Sequence, residues 1–393
     1  MIPLRMPDVT SVLLVTPRWA RDGGVATHVM ASATALAERG VRVSVLAAQI
    51  DDTAPSGEVA LIHSPELFDQ SASADRRFGA AMAGAPDVVH LHQFEDPDAV
   101  AAMRRGAPVL LSAHGYLACT SGVHYFRPGQ ECGRAHGPGC IPNLVACAHT
   151  SDPRGLPSAY RQAGRALRTL RAVDLAISYS SAMDRHLAIN EIDRRAVVPL
   201  FSTMRPARAP ADEARRRIVF AGRVVLPKGI AVLIRAARYV DAEFVICGDG
   251  WRLDEMRRLA ARLGVEDRVH FRGWLDSEAL ARELAEASVV AVPSIWPEPF
   301  GLVGIEAFEA ERPVVASATG GVRDWLEHGV NGLAVKPGSP DALAAALNEL
   351  LADGGRRRAM GAAGAALAAE RFTAERHVAG LLDAYRRARS GWQ

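Results

Sequence analysis

The chain has 393 residues, which is long for one hydrophobic core and typical of two domains. Hydrophobic residues make up 49% of it and charged residues 23%, so each domain can bury a core. The 46 Lys and Arg residues against 44 Asp and Glu residues give a net charge of +2, which argues against a nucleic-acid-binding protein that relies on bulk positive charge. The N-terminal apolar run extends only from Val12 to Val15, so we expect a cytoplasmic protein with neither a signal peptide nor a membrane span.

The first half of the chain alternates apolar strands with helices. The segment 11–17 predicts a buried strand, followed by a glycine-rich turn and an amphipathic helix that ends at Gly40. The other predicted strands of this half are 41–48, 87–93, 108–115, 174–180 and 196–200. Continuous Val, Leu and Ile strands between helices indicate a parallel sheet that is covered on both faces.

The second half repeats this pattern after the segment 201–217, whose Pro, Arg and Ala residues show no apolar period and predict a linker. Its predicted strands are 217–223, 244–250, 269–274, 289–294, 313–318 and 332–337. Its predicted helices are about 251–263, 276–287, 302–311, 340–352 and 372–389. This alternation predicts a second doubly wound domain.

The predicted fold class is therefore α/β, with two doubly wound Rossmann-like parallel-sheet domains that face a central cleft. The N-terminal domain covers 1–200 and the C-terminal domain covers 218–371, while the last segment, 372–393, holds a helix that could pack back on the N-terminal domain. Ligands of open α/β sheets bind outside the carboxyl ends of the strands, so chemistry is expected in the loops that follow strands.

The strongest chemical signal is the segment PSIWPEPFGLVGIEAFEA. Phe300 and Gly301 turn the chain after a strand and Leu302 begins a helix, whose first amides and dipole suit a phosphate. Glu306, one turn inside, can accept two hydroxyls of a ribose, and Glu298, eight residues earlier, can reach hydroxyls of a sugar. In the alternative, Glu306 only complements the helix dipole and Glu298 is a loop charge.

A second signal is the segment FAGRVVLPKG, in which Arg223 ends a strand and Lys228 follows five residues later, just before Gly229. Arg can bridge two phosphate oxygens, whereas Lys acts as a point charge, so the pair fits a pyrophosphate. The alternative is a pair of solvated loop charges.

Glycine-rich turns follow three further strands. Gly23 and Gly24 lie between the first strand and the first helix, where the backbone can approach a ligand, although their spacing is not that of a dinucleotide-binding GxGxxG motif. Gly248 and Gly250 would let a nucleobase or ribose come close, and the pair 320–321 could line a sugar pocket. Each turn is also compatible with a tight bend that binds nothing.

His114 ends a strand of the N-terminal half, in the segment SAHGY. It could donate a hydrogen bond to sugar hydroxyls or to developing charge. The alternative is a histidine whose hydrogen bond is purely structural.

Together these motifs resemble glycosyltransferase family 4, the retaining enzymes of the GT-B fold. The likeness is carried by GRVVLPKG, CGDGW, VPSIWPEPFGLVGIEAFEA and PVVASATGGVRDWLEHGVNGLAVKPGSP, and it is strongest from about 217 to 390. DGGVATHV and SAHG occupy the places of the family's N-terminal glycine loop and strand-end histidine. RFTAERHVAGLLDAY resembles the family's closing helix.

The resemblance implies an enzyme that moves a hexose from a nucleotide-sugar, most commonly a UDP-sugar, and that requires no cofactor and no fixed metal. It implies that Arg223 and Lys228 bind the donor pyrophosphate and that Glu306 holds the ribose. Glu298 and the amides near 300–302 would hold the transferred sugar.

By the same likeness, His114 lies beside the reacting centre and forms the catalytic set with Arg223, Lys228 and Glu298. Retention would follow a front-face route, in which the leaving phosphate accepts the proton of the acceptor and no protein nucleophile is needed. The protein would then neutralise phosphate charge and orient two substrates.

The segment 115–157 departs from the simplest family pattern. It contains four of the five cysteines of the chain, namely Cys119, Cys132, Cys140 and Cys147, together with three histidines. Thiolates and imidazoles could bind zinc or an iron–sulfur cluster as a structural metal site, although no CxxC pair is present. The alternative is a set of buried or disulfide-linked cysteines that order a long loop, and this insertion could shape the choice of acceptor.

The run YRQAGRALRTLR places Arg161, Arg165, Arg168 and Arg171 at helical spacing. Such a face could make weak contact with an anionic membrane surface, as in an enzyme with a lipid acceptor. The alternative is a solvated helix face.

The expected partners are therefore a nucleotide-sugar donor and a small-molecule, glycan or lipid-linked acceptor, with no nucleic acid. Two other functions use the same motifs. A GT-B epimerase would act on the nucleotide-sugar alone and need no acceptor. A non-catalytic nucleotide-sugar-binding protein would have no need of the sugar-end carboxylate of Glu298.

Overall fold

The computed structural model describes the residues 9–20, 23–51, 59–120, 122, 125–127, 130–148, 153–207 and 216–392. The chain divides into two compact units. The first unit holds Met1–Gly122, Gly133–Pro199 and Ala374–Gln393, and the second holds Val123–Cys132 and Leu200–Thr373. Within the described ranges, no helix is long and apolar enough to cross a bilayer.

The strands of the first half are, in chain order, β1 (Ser11–Trp19), β2 (Arg42–Ile50), β3 (Val59–His63), β4 (Val88–His92), β5 (Val109–Ser112), β6 (Tyr125–Arg127), β7 (Gln130–Glu131), β8 (Leu175–Ser178) and β9 (Arg195–Val197). In the described part of the first unit, seven of them form one parallel sheet in the order β3-β2-β1-β4-β5-β8-β9. The other two, β6 and β7, pair as an antiparallel hairpin. The strand order reverses between β1 and β4, which makes that junction the switch point where such sheets bind ligands.

The helices of the first half are α1 (Gly24–Ala37), α2 (Ala80–Met82), α3 (Pro97–Met103), α4 (Leu144–Ala148), α5 (Leu156–Ala172) and α6 (Ser181–Ile189). Two of them begin with ordinary side-chain caps. The Asp96 carboxylate accepts hydrogen bonds from the first amides of α3, with Pro97 at its first position, and the Ser180 hydroxyl accepts one at the start of α6. Every residue of β4, β5 and β8 is buried, as expected for strands covered on both faces of the sheet.

The strands of the second half are β10 (Arg217–Ala221), β11 (Glu243–Cys247), β12 (Val269–Gly273), β13 (Val289–Val292), β14 (Val314–Ser317) and β15 (Gly332–Val335). In the described part of the second unit they form one six-stranded parallel sheet in the order β12-β11-β10-β13-β14-β15. Its switch point lies between β10 and β13. Both sheets thus have the doubly wound order, and the predicted fold class of two Rossmann-like parallel-sheet domains is confirmed.

The helices of the second half are α7 (Ile230–Ala236), α8 (Leu253–Arg262), α9 (Ser277–Ala285), α10 (Leu302–Glu309), α11 (Pro340–Ala352), α12 (Gly354–Arg371) and α13 (Ala374–Ser390). Helix α12 packs against α10, and a Cβ atom at Gly364 would overlap the Phe308 ring. Helix α13 belongs to the first unit, where it packs against α1 and buries Val378 and Tyr385.

The structure adds elements that the sequence pattern did not predict. Strand β3, with the sequence VALIH, is only partly buried, unlike the fully buried inner strands. Helix α12 is rich in Gly and Ala, which gives it little apolar periodicity. Residues Val123–Cys132 of the insertion group with the second unit, which corrects their assignment to the N-terminal domain. Of the predicted linker, 208–215 lies outside the described residues and Arg217 already begins β10.

Candidate functional site

Two backbone hydrogen bonds join the loops that follow β10, β13 and β14. The Ile295 amide, after β13, donates to the Pro227 carbonyl, after β10, over 2.9 Å. The Gly321 amide, after β14, donates to the Glu298 carbonyl over 2.7 Å. Because β10 and β13 flank the switch point, these loops form a candidate site where an open parallel sheet binds its ligand.

Lys228 and Glu298 form an ion pair in this site. The Lys228 Nζ atom is 2.8 Å from one carboxylate oxygen of Glu298 and 2.9 Å from the other, and the Ser294 hydroxyl also donates to this carboxylate. The Glu298 side chain is only 3% exposed, whereas that of Lys228 is 23% exposed. The ammonium therefore compensates a nearly buried carboxylate and still presents part of its surface to a ligand. The sequence predicted both residues but not their pairing.

Gly229 explains why Lys228 is held against this loop. Its φ of 70° lies in the left-handed region, and a Cβ atom there would overlap the carbonyl oxygen of Pro293. Only glycine satisfies both conditions. The backbone after Lys228 can therefore approach the β13 loop closely enough for the ion pair with Glu298 to form.

Arg223 follows β10 in the same loop and is exposed. Among the described residues, its guanidinium makes no hydrogen bond and no ion pair. An arginine offers five N–H donors in a fork that fits phosphate oxygens. The side chain is therefore available to an anionic ligand without first breaking a contact within the protein.

The glycines after β11 have a structural role that the sequence did not predict. A Cβ atom at Gly248 would overlap the carbonyl oxygen of Gly222, and one at Gly250 would crowd the backbone of Val224. The two loops thus pack backbone against backbone. This packing requires glycine whether or not a nucleobase or ribose approaches.

At the start of α10, the predicted phosphate-binding backbone has to be considered apart from the side chain of Phe300. Gly301 adopts a left-handed conformation with φ of 85°, directly before Leu302 begins the helix. Phe300 is 2% exposed, its ring packs against Phe372, and its carbonyl accepts a 2.7 Å hydrogen bond from the Trp325 indole. The Phe300 side chain therefore belongs to the core and is not available to a ligand.

Glu306 lies in the second turn of α10 and is partly buried. Burial, reinforced by the neighbouring charge of Glu309, raises the pKa of its carboxyl to about 7. Hydroxyl donors stabilise a carboxylate in such a place, because their hydrogen bonds to the charged form replace the hydration that is lost on burial. This is the property that a ribose-binding residue needs.

Glu131 is a site residue that the sequence did not suggest. It lies in β7 of the hairpin within the insertion, and its Oε1 accepts hydrogen bonds from the Gly320 amide over 3.1 Å and from Arg323 over 2.7 Å. The carboxylate thus fixes the glycine turn after β14. Its surroundings in the sequence, GQECGR, carry no motif that could have identified it.

His114 follows β5 in the first unit and is half-buried. Its Nε2 atom is 2.9 Å from Nδ1 of His92 and 3.2 Å from the hydroxyl of Tyr179. Burial and the neighbouring His92 lower the pKa of His114 well below its usual range, so the imidazole is neutral near pH 7. His92 escaped the sequence prediction, although a histidine in the buried strand VVHLHQ is an unusual residue that could have drawn attention.

Gly23 and Gly24 lie at the start of α1, on the β1 side of the switch point of the first sheet. Gly23 is left-handed, with φ of 81°. A Cβ atom at either glycine would meet open space. The glycine at position 23 is therefore favoured by backbone conformation and not by crowding.

The four insertion cysteines, Cys119, Cys132, Cys140 and Cys147, have side chains of intermediate exposure. They are therefore not the fully buried cysteines that were one alternative to a metal site. Within the described ranges, no three His, Cys, Asp or Glu side chains form a group that could hold a metal ion. Two histidines of the insertion, at 124 and 149, lie outside these ranges, and the metal site stays a prediction.

The arginine run lies on α5, as its spacing predicts. Arg171 is 3.0 Å from Glu191, Arg161 and Arg168 are exposed, and Arg165 is half-buried. Contact of this face with anionic lipid stays a prediction.

Comparison with known proteins agrees with the architecture. The family model "Glycosyltransferase Family 4" matches 22–200, and the model "Glycosyl transferases group 1" matches 204–367. Among solved structures, sucrose-phosphate synthase from Thermosynechococcus elongatus superposes with a TM-score of 0.73 over 96% of this chain and 98% of that chain, at 23% identity.

Among curated relatives, the D-inositol 3-phosphate glycosyltransferase of Xylanimonas cellulosilytica is 30% identical over 98% of this chain and 96% of that protein. Several other relatives are matched over about half of their length or less. An example is the GDP-mannose-dependent alpha-(1-6)-phosphatidylinositol monomannoside mannosyltransferase of Mycobacterium tuberculosis, 37% identical over 41% of this chain and 46% of that protein. On this combined basis, the chain belongs to the group 1 glycosyl transferases of glycosyltransferase family 4.

Proposed function

We propose that the protein is a retaining glycosyltransferase that moves a hexose from a nucleotide-sugar to an acceptor hydroxyl. The observation that carries this proposal is the ion pair of Lys228 with Glu298 at the switch point of the second sheet, in the same loop system as the exposed Arg223. A diphosphate needs cations and a sugar needs carboxylate acceptors, and this site offers both side by side.

In the proposed complex, Arg223 and Lys228 neutralise the donor pyrophosphate, with the amides at the start of α10 as further donors. Glu306 accepts the ribose hydroxyls. Glu298, already oriented by Lys228, accepts hydroxyls of the transferred sugar. The Lys228 side chain thus links the pyrophosphate to the sugar-binding carboxylate.

The proposed reaction breaks the bond between the anomeric carbon and the phosphate oxygen, and the acceptor oxygen forms its bond on the same face of the sugar. The proton of the acceptor hydroxyl passes to the leaving phosphate. The two cations stabilise the charge that develops on this phosphate, which is the main catalytic contribution expected of the protein. His114 donates a hydrogen bond to a substrate oxygen and takes no proton.

For the donor, we propose a UDP-sugar, because UDP-sugars are the commonest donors in the family. A GDP-sugar is the second candidate, because one relative is named as GDP-mannose-dependent. For the acceptor, the candidates are a cell-envelope or polysaccharide intermediate, a small natural product and, from the name of the relative matched over 96% of its length, a phosphorylated inositol.

Thermal unfolding in the presence of UDP-, GDP-, ADP- and TDP-sugars tests donor binding, because a ligand of the folded state raises the melting temperature. We expect one nucleotide series to stabilise the protein and the others to have little effect. Product analysis with that donor and an acceptor panel then tests transfer, and the anomeric configuration of the product tests retention. Failure of every nucleotide-sugar to stabilise the protein would contradict the proposal.

The same donor tests the alternatives. Conversion of the nucleotide-sugar to its epimer in the absence of acceptor would indicate an epimerase. Tight binding without turnover against the whole acceptor panel would favour a non-catalytic binding protein.

A further inference from the structure

Below the strand end that carries His114, the first unit buries a chain of hydrogen-bonded polar side chains. Tyr385 of α13 is 2.9 Å from Nδ1 of His90, whose Nε2 is 2.8 Å from the Ser112 hydroxyl. Ser112 also bonds Tyr179, and Tyr179 reaches His114. Apart from the half-buried His114, every member of this chain is at most 2% exposed.

His92 is the second neighbour of His114. Its Nδ1 atom and the Tyr179 hydroxyl both lie within hydrogen-bond distance of the Nε2 atom of His114, at 2.9 and 3.2 Å. His92 is 1% exposed, and burial lowers the pKa of its imidazole well below the usual range. Both imidazoles are therefore neutral near pH 7, and a single proton lies between the two nitrogens.

The position of this proton follows from the remaining nitrogen of His92. Its Nε2 atom is buried and has no hydrogen-bond partner within the described residues. If His114 donated from Nε2, His92 would carry its own proton on this buried nitrogen as an unpaired N–H, which is rare in folded proteins and unfavourable. If His92 instead donates from Nδ1, its buried Nε2 atom has no proton and carries only an unused lone pair.

The hydroxyl chain is compatible with the same arrangement. When Tyr385 donates to His90, His90 to Ser112, Ser112 to Tyr179 and Tyr179 to His114, each of these donors has an acceptor. This direction again makes Nε2 of His114 an acceptor. The proton of His114 then lies on Nδ1.

We propose that His92 is a positioning residue that fixes His114 as the tautomer protonated on Nδ1, so that His114 presents an N–H donor to the substrate and not a lone pair. The role of His114 toward a substrate rests on the proposed function, whereas its tautomer does not. A histidine held in this way stabilises a substrate oxygen but cannot accept a proton from the acceptor. The deprotonation of the acceptor is thereby left to the leaving phosphate.

The tautomer can be measured directly in the full-length protein. Selective ¹⁵N labelling of histidine and long-range ¹H–¹⁵N spectra distinguish the two tautomers, and His114→Ala identifies the signals of His114 by their loss. We expect the Nδ1-protonated tautomer in the wild type. The Nε2-protonated tautomer there would overturn the proposal without touching the proposed glycosyl transfer.

Variants of His92 give the second test. In His92→Leu we expect a detectable Nε2-protonated population of His114, and a turnover number reduced by about tenfold with the selected nucleotide-sugar donor. His92→Asn, whose amide can place an N–H donor near the position of Nδ1, should keep the wild-type tautomer and most of the activity. His63→Leu is the matched control, because His63 ends β3 of the same sheet, is exposed and bonds only the Ala48 carbonyl among the described residues.

An unchanged tautomer and unchanged turnover in His92→Leu would overturn the proposal. Should His92→Leu fail to fold, the wild-type spectrum and His92→Asn still decide it. A wild-type Nδ1 tautomer combined with full activity of His114→Ala would support the role of His92 and contradict that of His114 in the reaction. Failure of the tautomer proposal is therefore distinguishable from failure of the proposed role of His114 in glycosyl transfer.

Discussion

The Lys228 ammonium lies within 2.9 Å of both carboxylate oxygens of Glu298, although the two residues are 70 positions apart in the chain. The contact joins the loops after β10 and β13 across the switch point of the second sheet. It makes the proposed phosphate-binding cation and the proposed sugar-binding carboxylate interdependent. Substitution of either residue is therefore expected to affect the other.

Replacement of Lys228 should reduce both stability and activity. In Lys228→Met, the nearly buried Glu298 carboxylate loses its cation, so we expect a loss of roughly 2–3 kcal/mol in unfolding free energy, somewhat below the range for fully buried pairs. Sugar transfer should slow at least tenfold. Urea unfolding measures the stability, and initial rates with saturating donor measure the transfer.

The double variant Lys228→Met/Glu298→Gln is the control, because it removes the uncompensated charge. It should recover most of the lost stability and none of the activity. Equal stability of the single variant and the wild type would contradict the compensating role of the pair.

Arg223 should behave differently, because it is exposed and makes no ion pair among the described residues. We expect Arg223→Ala to slow transfer at least tenfold, since loss of one contact to a developing charge costs roughly 2–4 kcal/mol. Its melting temperature without ligand should match that of the wild type. Arg235→Ala, an exposed arginine on α7, is a suitable control. Near-normal turnover in both Arg223→Ala and Lys228→Met would refute the proposed donor site.

Glu306 should make stability depend on pH. Its pKa is about 7 in the folded protein against an ordinary value of 4.5, so the folded state binds the proton more tightly than the unfolded state. Relative to Glu306→Gln, the wild type should therefore be most stable below pH 4.5 and lose this advantage as the pH rises through 7, by an amount on the order of 2 kcal/mol. Urea unfolding of both proteins between pH 5 and pH 8 measures the difference. A difference that is independent of pH would contradict the raised pKa.

Donor binding should follow the opposite trend. Ribose hydroxyls donate to the charged carboxylate of Glu306, so the affinity for the nucleotide should rise with pH through about 7. In Glu306→Gln, this rise should disappear. Calorimetric titration of the nucleotide at pH 6 and pH 8 tests it, and a rise that persists in the variant would assign the pH dependence to another group.

Gly229 offers a test of the backbone packing beneath the ion pair. In Gly229→Ala, the left-handed φ and the overlap with the Pro293 carbonyl act together, so we expect a loss of at least about 3 kcal/mol in unfolding free energy. Gly264→Ala has a similar φ of 65° but open space around the new Cβ atom, and should lose only about 1 kcal/mol. Equal losses in the two variants would show that crowding at Pro293 is not the cause.

The sequence was sufficient for the architecture because the inner strands are continuous apolar runs and the loops after them contain Gly, Pro and charged residues. The same runs located Arg223, Lys228 and Glu298 at strand ends, and the structure places Lys228 against Glu298. Which residues pair across the loops was not predictable, because the pairing depends on backbone contacts between distant segments, such as Gly229 against Pro293.

Glu131 and His92 escaped prediction for two different physical reasons. Glu131 lies in a short hairpin, and its contact with Gly320 joins positions 189 apart with no local motif. His92 lies within a strand whose apolar pattern predicts a buried residue, and its function depends on which nitrogen carries the proton. Both properties arise from tertiary hydrogen bonding, which neither periodicity nor composition encodes.

The chain passes from one compact unit to the other after Gly122, Cys132, Pro199 and Thr373. A truncation at the obvious boundary near Pro199 would therefore remove α13 from the first unit, including the Tyr385 hydroxyl that bonds His90, and would remove the Glu131 hairpin from the second. Chimeras that exchange whole units between relatives should respect all four junctions. A second unit transplanted without its hairpin would lose the Glu131 carboxylate that accepts the hydrogen bond of the Gly320 amide.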